Sequence, residues 1–315
     1  MKFGFGIDVG GTTVKLGLFT QTGELLEKWE IPTNTEHEGE AILPDIARAV
    51  ADCMSRRGLS REDCLGLGIG VPGPVSDSGI VNKCANLGWG VFDLHKTLGD
   101  LTCLPVKGGN DANVAALGEC WKGGGQGHSS MVLATLGTGI GGGIVIDGKI
   151  LFGAHGAAGE IGHVTMDKHE TEPCGCGKFG CAEEYGSASG LTRLARRAMA
   201  KSALPSPLRA LEKPTAKDVF DLAAQGDALA LEVREAYFDV LGQFLAGVCC
   251  VVDPEIVVLG GGVSKAGPVL AQGVQRHFVP YMFHTGRGIR FALATLGNDA
   301  GIYGSFKLAL DQFGG

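Results

Sequence analysis

KFGFGIDVGGTTVKLGLFT, residues 2–20, reads as a strand ending in Asp8, a Gly10-Gly11 turn and a returning strand, TVKLGLFT. A third strand, ELLEKWEI, follows the turn at Gln21 to Gly23. A Gly-Gly pair between strands is most often a plain hairpin turn. An acidic residue at the end of a buried strand, followed by Gly-Gly-Thr-Thr, offers a second reading. Backbone N–H groups and hydroxyls can then point at a phosphate while Asp8 faces its metal ion. The choice is informed by a second copy of the pattern, MVLATLGTGIGGGIVIDG, residues 131–148: strand, Gly-rich hairpin containing Thr138, strand. Two such hairpins far apart in one chain point to an internal duplication, each half giving one hairpin to a nucleotide. No GxxxxGK[ST] run occurs, so P-loop chemistry is excluded. Strands and helices alternate along the chain, the pattern of a doubly wound α/β protein.

Between these landmarks and the C-terminal third lies EIGHVTMDKHETEPCGCGKFGCAE, residues 160–183. His163, Cys174, Cys176 and Cys181 give the spacing H-x10-C-x-C-x4-C, four ligands of the kind that closes a tetrahedral zinc sphere with no place left for water. The interleaved Gly175, Gly177 and Gly180 break any helical or strand period that would bury these cysteines as apolar residues. A disulfide or a redox pair is the alternative. A closed site is structural, and its expected task is to hold the loop so that Glu160 and Glu183, at its two ends, face one cavity.

The rest of the chain narrows the function. At 315 residues there is length for two domains. The net charge of −7 and a pI near 5.6, with no Lys/Arg stripe, exclude nucleic acid as the main partner and favour a small substrate. Ten cysteines, with a strand-like run directly after Met1, fit a reducing cytoplasm, and no apolar run is expected to span a bilayer. Residues 38–58 have amphipathic helical spacing and stop at Gly58. Pro72-Gly73-Pro74 forces a rigid turn. In ANLGW, Ala85 to Trp89, the Asn and Trp fit a polar contact beside an apolar wall or a satellite core equally well. Asn110-Asp111 stand where a helix begins, as an N-cap or as a carboxylate placed to accept a proton from a substrate hydroxyl. Helices are expected near 187–201, with Arg193, Arg196 and Arg197 on a solvated face, and at 216–225, 227–249 and 268–278. A strand ending in Gly260-Gly261-Gly262 suits close approach of a nucleoside.

Together DVGGTTVK, the Asn110-Asp111 pair, LGTGIGGG, EIGH and CGCGKFGCAE resemble the ROK family (repressors, open reading frames and sugar kinases) across essentially the whole chain, within it the bacterial ATP-dependent glucokinases. The resemblance implies a two-domain actin-like ATPase, or ribonuclease H-like, α/β fold with an interdomain cleft. A smaller domain of residues 1–109 would be joined by a C-terminal helix at 298–315, and a larger domain would span 110–297. It implies phosphorylation of glucose to glucose 6-phosphate with ATP, magnesium and a structural zinc. Asp111 is then similar to the family's catalytic base, and Asn86, Asn110, Glu160, His163 and Glu183 to its sugar-binding positions. Asp8, Gly10, Gly11, Thr12 and Lys15, with Thr138 and Gly139, match the phosphate and magnesium side, and Gly261 and Gly262 the adenosine side. A homodimer without nucleic-acid or membrane partners is implied as well. Kinases of N-acetylmannosamine, N-acetylglucosamine, mannose or fructose use the same motifs, and some relatives accept polyphosphate. A sugar-responsive repressor would carry a DNA-binding segment ahead of DVGGT, and a silent sugar-binding module would not need Asp111 and both hairpins.

Overall fold

The computed structural model describes residues 2–314. In chain order the elements are β1 (Phe3–Val9), β2 (Thr13–Thr20), β3 (Leu25–Pro32), α1 (Ile42–Arg57), β4 (Cys64–Val71), β5 (Ile80–Val81), β6 (Phe92–Asp93), α2 (Leu94–Thr102), β7 (Val106–Asn110) and α3 (Asp111–Lys122). Then come β8 (Met131–Leu136), β9 (Ile140–Ile146), β10 (Lys149–Ile150), α4 (Glu183–Gly186), α5 (Ala188–Lys201), α6 (Ala216–Ala224) and α7 (Ala228–Val252). The chain ends with β11 (Ile256–Gly260), α8 (Pro268–Phe278), β12 (Arg290–Leu293) and α9 (Ala300–Phe313).

By their own contacts the described residues form two compact units: residues 2–129, 143–159 and 296–314 make the first, residues 130–142 and 160–295 the second. The first is built on a sheet of order β3-β2-β1-β4-β7, antiparallel from β3 to β1 and parallel from β1 to β7. Phe5, Ile7, Leu16, Leu18, Leu67 and Ile69 are fully or almost fully buried in it, and α1 adds Ile42, Ile46 and Val50 to the same core. That helix ends where expected, with Gly58 in the left-handed region at φ 64°.

The sequence-based boundary at residue 109 is moved by the structure. Residues 110–129 and 143–159, expected in the larger domain, belong to the first unit. The reason lies in α9, which meets α3 and the sheet backbone to backbone. A methyl on Gly68 would lie 1.6 Å from Ser305 O, on Gly304 1.6 Å from Val114 O, on Gly118 2.3 Å from Ala300 O and on Gly6 2.0 Å from Ile302 O. Four positions without side chains allow main chains to touch, and α3 is drawn in with α9. Ser305, fully buried, uses its hydroxyl to donate to Ile7 O at 2.8 Å.

The second unit takes its parallel core from β8, β11 and β12, where Val257, Val258, Leu259, Val132 and Leu133 are fully buried. Within this unit the strands lie in the order β8-β11-β12. Helix α8 begins at Pro268 and ends at Phe278, as its N-terminal proline and apolar spacing predict. Helix α7 has 25 residues and is long and apolar enough to cross a membrane by length and composition. Sequence reading expected no such run. Here the helix packs against α5, α6 and α8, burying Tyr237, Phe238, Leu241, Phe244 and Leu245.

Candidate functional site

In the first unit, the β1–β2 hairpin turns through Gly10, whose N–H donates to Thr13 O at 3.0 Å. Gly11 and Thr12 are exposed at the tip. Asp8 leaves the strand just before the turn with a side chain only 19% exposed, and Lys15 Nζ lies 3.7 Å from its Oδ2. Lys15 also donates to Asn298 O at 3.2 Å. Burial pushes the Asp8 carboxyl above its usual range, and Lys15 offsets that only in part. Gly301, at the start of α9, stands directly behind the carboxylate; a Cβ there would lie 2.5 Å from Asp8 Cγ. Asp8 is therefore held from both sides, and a cation beside it would restore the charged form that burial disfavours.

Asn110 ends β7 and caps α3: its Oδ1 accepts from the Ala112 and Asn113 N–H groups at 3.0 and 3.2 Å, while its amide donates to Gly73 O at 3.2 Å. The Pro72-Gly73-Pro74 turn is thus tied to the cap. Asp111 is the first residue of α3, with Oδ1 accepting from Ala112 N–H at 2.8 Å. In ANLGW, Trp89 and Leu87 are buried, with Trp89 Nε1 donating to Gly39 O at 3.1 Å, which makes the aromatic part of the core. Asn86 is exposed.

In the second unit, the β8–β9 hairpin closes with Gly137 N–H on Gly139 O at 3.0 Å, and Thr138 is exposed at its tip. The hairpin is linked to the cysteine segment by Glu183, the first residue of α4. Its Oε2 accepts from Ile140 N–H at 3.4 Å, and a Cβ on Gly139 would sit 2.4 Å from the same oxygen. Its Oε1 lies 2.8 Å from Cys174 Sγ and 3.8 Å from His163 Nδ1.

His163, Cys174, Cys176 and Cys181 come together, their ligand atoms all within 4.8 Å of one another. Cys176 and Cys181 Sγ are 3.7 Å apart, and Cys174 Sγ is 3.9 Å from His163 Nδ1. Thiolates at a Zn–S distance of about 2.3 Å on a tetrahedron are about 3.8 Å apart, and the Cys176–Cys181 separation of 3.7 Å matches that spacing. His163 presents Nδ1 to the thiols and Nε2 to Glu160, whose Oε2 is 4.0 Å away and exposed. Burial pushes the Cys174 and Cys181 thiols up, whereas the Lys178 N–H pulls Cys176 down. A bound dication would remove protons from all three.

Past β11, Gly261 adopts φ 78°, and a Cβ there would lie 2.6 Å from Leu136 main-chain atoms, so only glycine lets this turn close on β8. Gly262 opens a cavity of about 210 Å³ lined by Phe220, Lys217, Asp221, Val263 and Lys265. Sequence reading found Gly261 and Gly262 but not Phe220 and Lys217; the only signal was the amphipathic spacing of α6. It also missed Arg193. Expected on a solvated face, this arginine is buried and bound to Glu170.

An actin-like α/β fold with two glycine hairpins and an aspartate in the first turn of a helix defines a class of phosphoryl-transferring proteins. The ROK family pattern matches residues 4–312, and the chain belongs to that family. It is 44% identical over 312 residues to a glucokinase of Halalkalibacterium halodurans, covering 98% of this chain and 94% of that one. It is 37% identical to a glucokinase of Thermotoga maritima, covering 98% of each. Among solved structures, a ROK family glucokinase of Streptomyces griseus in complex with glucose and AMPPNP superposes with a TM-score of 0.73 at 31% identity, covering 98% of this chain and 99% of that one. The ROK hexokinase of Thermus thermophilus gives 0.79 at 31%, covering 98% of each chain.

Proposed function

We propose that this protein transfers the γ-phosphoryl group of ATP to the 6-hydroxyl of glucose. The observation that carries the reading is full-length likeness to glucokinases at 44% and 37% identity. The local geometry supports it with a carboxylate at a helix N-terminus, two glycine hairpins and a histidine flanked by Glu160 and Glu183.

In this reading Asp111 accepts the proton of the attacking hydroxyl as the O–P bond forms, a contribution of about 10²- to 10⁴-fold. Asn86, Asn110, Glu160, His163 and Glu183 bind the sugar hydroxyls and orient the acceptor. The N–H groups of Gly10, Gly11 and Gly139, with the hydroxyls of Thr12 and Thr138 and the ammonium of Lys15, stabilise charge on the phosphoryl oxygens. Asp8 would hold magnesium, which neutralises charge on the phosphate oxygens. Gly261 and Gly262 let the nucleoside approach the main chain, and Phe220 offers its ring as a wall of that cavity. His163, Cys174, Cys176 and Cys181 would hold a structural zinc, which fixes the loop and takes no part in the transfer. We place the enzyme in the cytoplasm as a homodimer, a state that light scattering after gel filtration tests.

The deciding experiment is ADP release with ATP and magnesium against glucose, mannose, fructose, N-acetylmannosamine and N-acetylglucosamine, with Asp111→Asn alongside. The expected result is strongest turnover on glucose and its loss in the variant with sugar binding retained. Preference for another sugar overturns the substrate, and turnover by the variant removes Asp111 from its role.

A further inference from the structure

Residues 164–182, which carry the three thiols of the cluster, contain no helix or strand. Main-chain bonds join the two ends of this loop: Met166 N–H to Gly180 O at 2.7 Å and Ala182 N–H to Val164 O at 2.8 Å. Gly180, at φ 69°, has no room for a Cβ, which would lie 1.8 Å from Asp167 O. These bonds leave the far side of the loop, around residue 170, to be fixed in another way.

Glu170 fixes it. Its side chain is only 5% exposed, and Oε2 accepts from Tyr185 OH at 2.6 Å, from Arg197 Nη2 at 3.0 Å and from Arg193 Nη2. Its Oε1 accepts from the N–H groups of Thr171 and Glu172 at 2.9 and 3.1 Å. Arg193 also meets Glu172 at 3.1 Å and Glu184 at 3.3 Å and lies 5.4 Å over the Tyr185 ring. Tyr185 belongs to α4, two residues after Glu183, and both arginines belong to α5.

Such a cluster is a poor device for stability. Arg193 Nε is buried with no hydrogen-bond partner, and a buried ion pair gains little over apolar packing of the same volume once desolvation is counted. What the cluster supplies is register, because a guanidinium fork and a phenol fix one carboxylate in position and direction. The register runs between the ligand-bearing loop and the helices that carry Glu183.

We propose that Glu170, acting through Arg193, Arg197 and Tyr185, is a positioning residue that holds the thiol-bearing loop and Glu183 in mutual register, so that sugar affinity depends on it. The consequence for sugar rests on the kinase reading above. The consequence for the loop does not.

The test uses Glu170→Gln, which keeps the volume and removes the charge, and Glu170→Ala, with hydrogen exchange by mass spectrometry on the protein as purified. Amides of residues 164–182 should exchange about tenfold faster or more in the variants while β1 and β4 stay unchanged. The KM for glucose should rise about tenfold, with kcat within threefold and the KM for ATP unchanged, since a loosened contact distant from the reacting atoms weakens binding in ground and transition states alike. Wild-type exchange over 164–182 together with wild-type KM overturns the proposal, even if the variants melt earlier. If both variants fail to fold, Arg197→Ala removes one half-exposed guanidinium and should give the same pattern at about threefold; no change in it also overturns the proposal. Absence of glucose turnover in the unmodified protein would sink the kinase reading alone, and the exchange data would still decide the clamp.

Discussion

Replacing Gly301 with alanine places a methyl group against Asp8. The new Cβ would lie 2.5 Å from Asp8 Cγ, 2.6 Å from Oδ2 and 2.8 Å from Oδ1. Carbon in van der Waals contact needs about 3.5 Å, so the carboxylate must retreat by about 1 Å. The retreat is feasible, because the contacted atoms end a side chain whose ionic partner Lys15 stands 3.7 Å away. Overpacking costs about 1–3 kcal/mol, and alanine in a helix returns about 0.5–1 kcal/mol over glycine. The net loss of stability is then at most about 2.5 kcal/mol, and the variant is expected to fold. Function is another matter, since a 1 Å misplacement of a group that positions reactants can cost about 10²-fold in rate. If Asp8 holds the magnesium of the phosphoryl donor, kcat should fall by about that factor, with a raised magnesium requirement. The KM for glucose should be unchanged. The assay is ADP release over a magnesium titration, with thermal melting as the control for folding. A kcat within twofold of wild type and an unchanged magnesium curve would refute the placement of Asp8 in the site.

Asp8 makes a second prediction through pH. Burial raises its folded pKa above the ordinary 3.8, so the folded state keeps a proton that the unfolded chain has released. Wild-type stability therefore drops as pH rises from near that ordinary value through the folded pKa, and it stays lowered above. Asp8→Asn escapes this loss: it should be inactive yet more stable at pH 7 by urea unfolding, with the difference vanishing below about pH 3, and a less stable variant at pH 7 would contradict the argument. For the thiol cluster, elemental analysis of the purified protein should find close to one zinc per chain. Cys181→Ala should abolish it and raise proteolytic cleavage in residues 164–182; a metal-free, fully active wild-type protein would remove zinc from the account.

Legibility in the sequence followed the range of the interaction. Helix α8 and the stop of α1 were readable because the apolar period, Pro268 and Gly58 are local signals. The convergence of His163, Cys174, Cys176 and Cys181 was readable because their types and close spacing suit one shared site. The membership of α3 was hidden. Gly118 looks like an ordinary helix glycine until Ala300 lies 2.3 Å from where its Cβ would be, and those two residues are far apart in the chain. Arg193 was misread for the same reason, since its partner Glu170 sits in a loop without periodicity. The cavity beside Gly262 needs α6 folded back on the β11 turn, a tertiary fact that the spacing of Phe220 and Lys217 does not encode. Asn110 and Asp111 show why two readings of one motif need not compete. Asn110 performs the capping and leaves its neighbour's carboxylate at the helix end.

The orientation of His163 joins the structural and functional halves of the second unit. A neutral imidazole has one N–H and one acceptor nitrogen, and which is which depends on what each nitrogen meets. Nδ1 faces Cys174 and Glu183, whereas Nε2 faces Glu160. A metal on Nδ1 forces the proton onto Nε2, making that edge of the ring a donor. Glu160 Oε2, 4.0 Å from Nε2, is too far for a direct hydrogen bond but well placed for a hydroxyl to enter, accepting from the ring and donating to the carboxylate. Both halves of that contact require the same tautomer. Without the metal either nitrogen can carry the proton, and the Nδ1–H form turns Nε2 into an acceptor that competes with Glu160 for a single donor. A metal on the cluster would then serve the proposed sugar site chemically as well as mechanically: it would hold the loop in place and fix which edge of one ring donates.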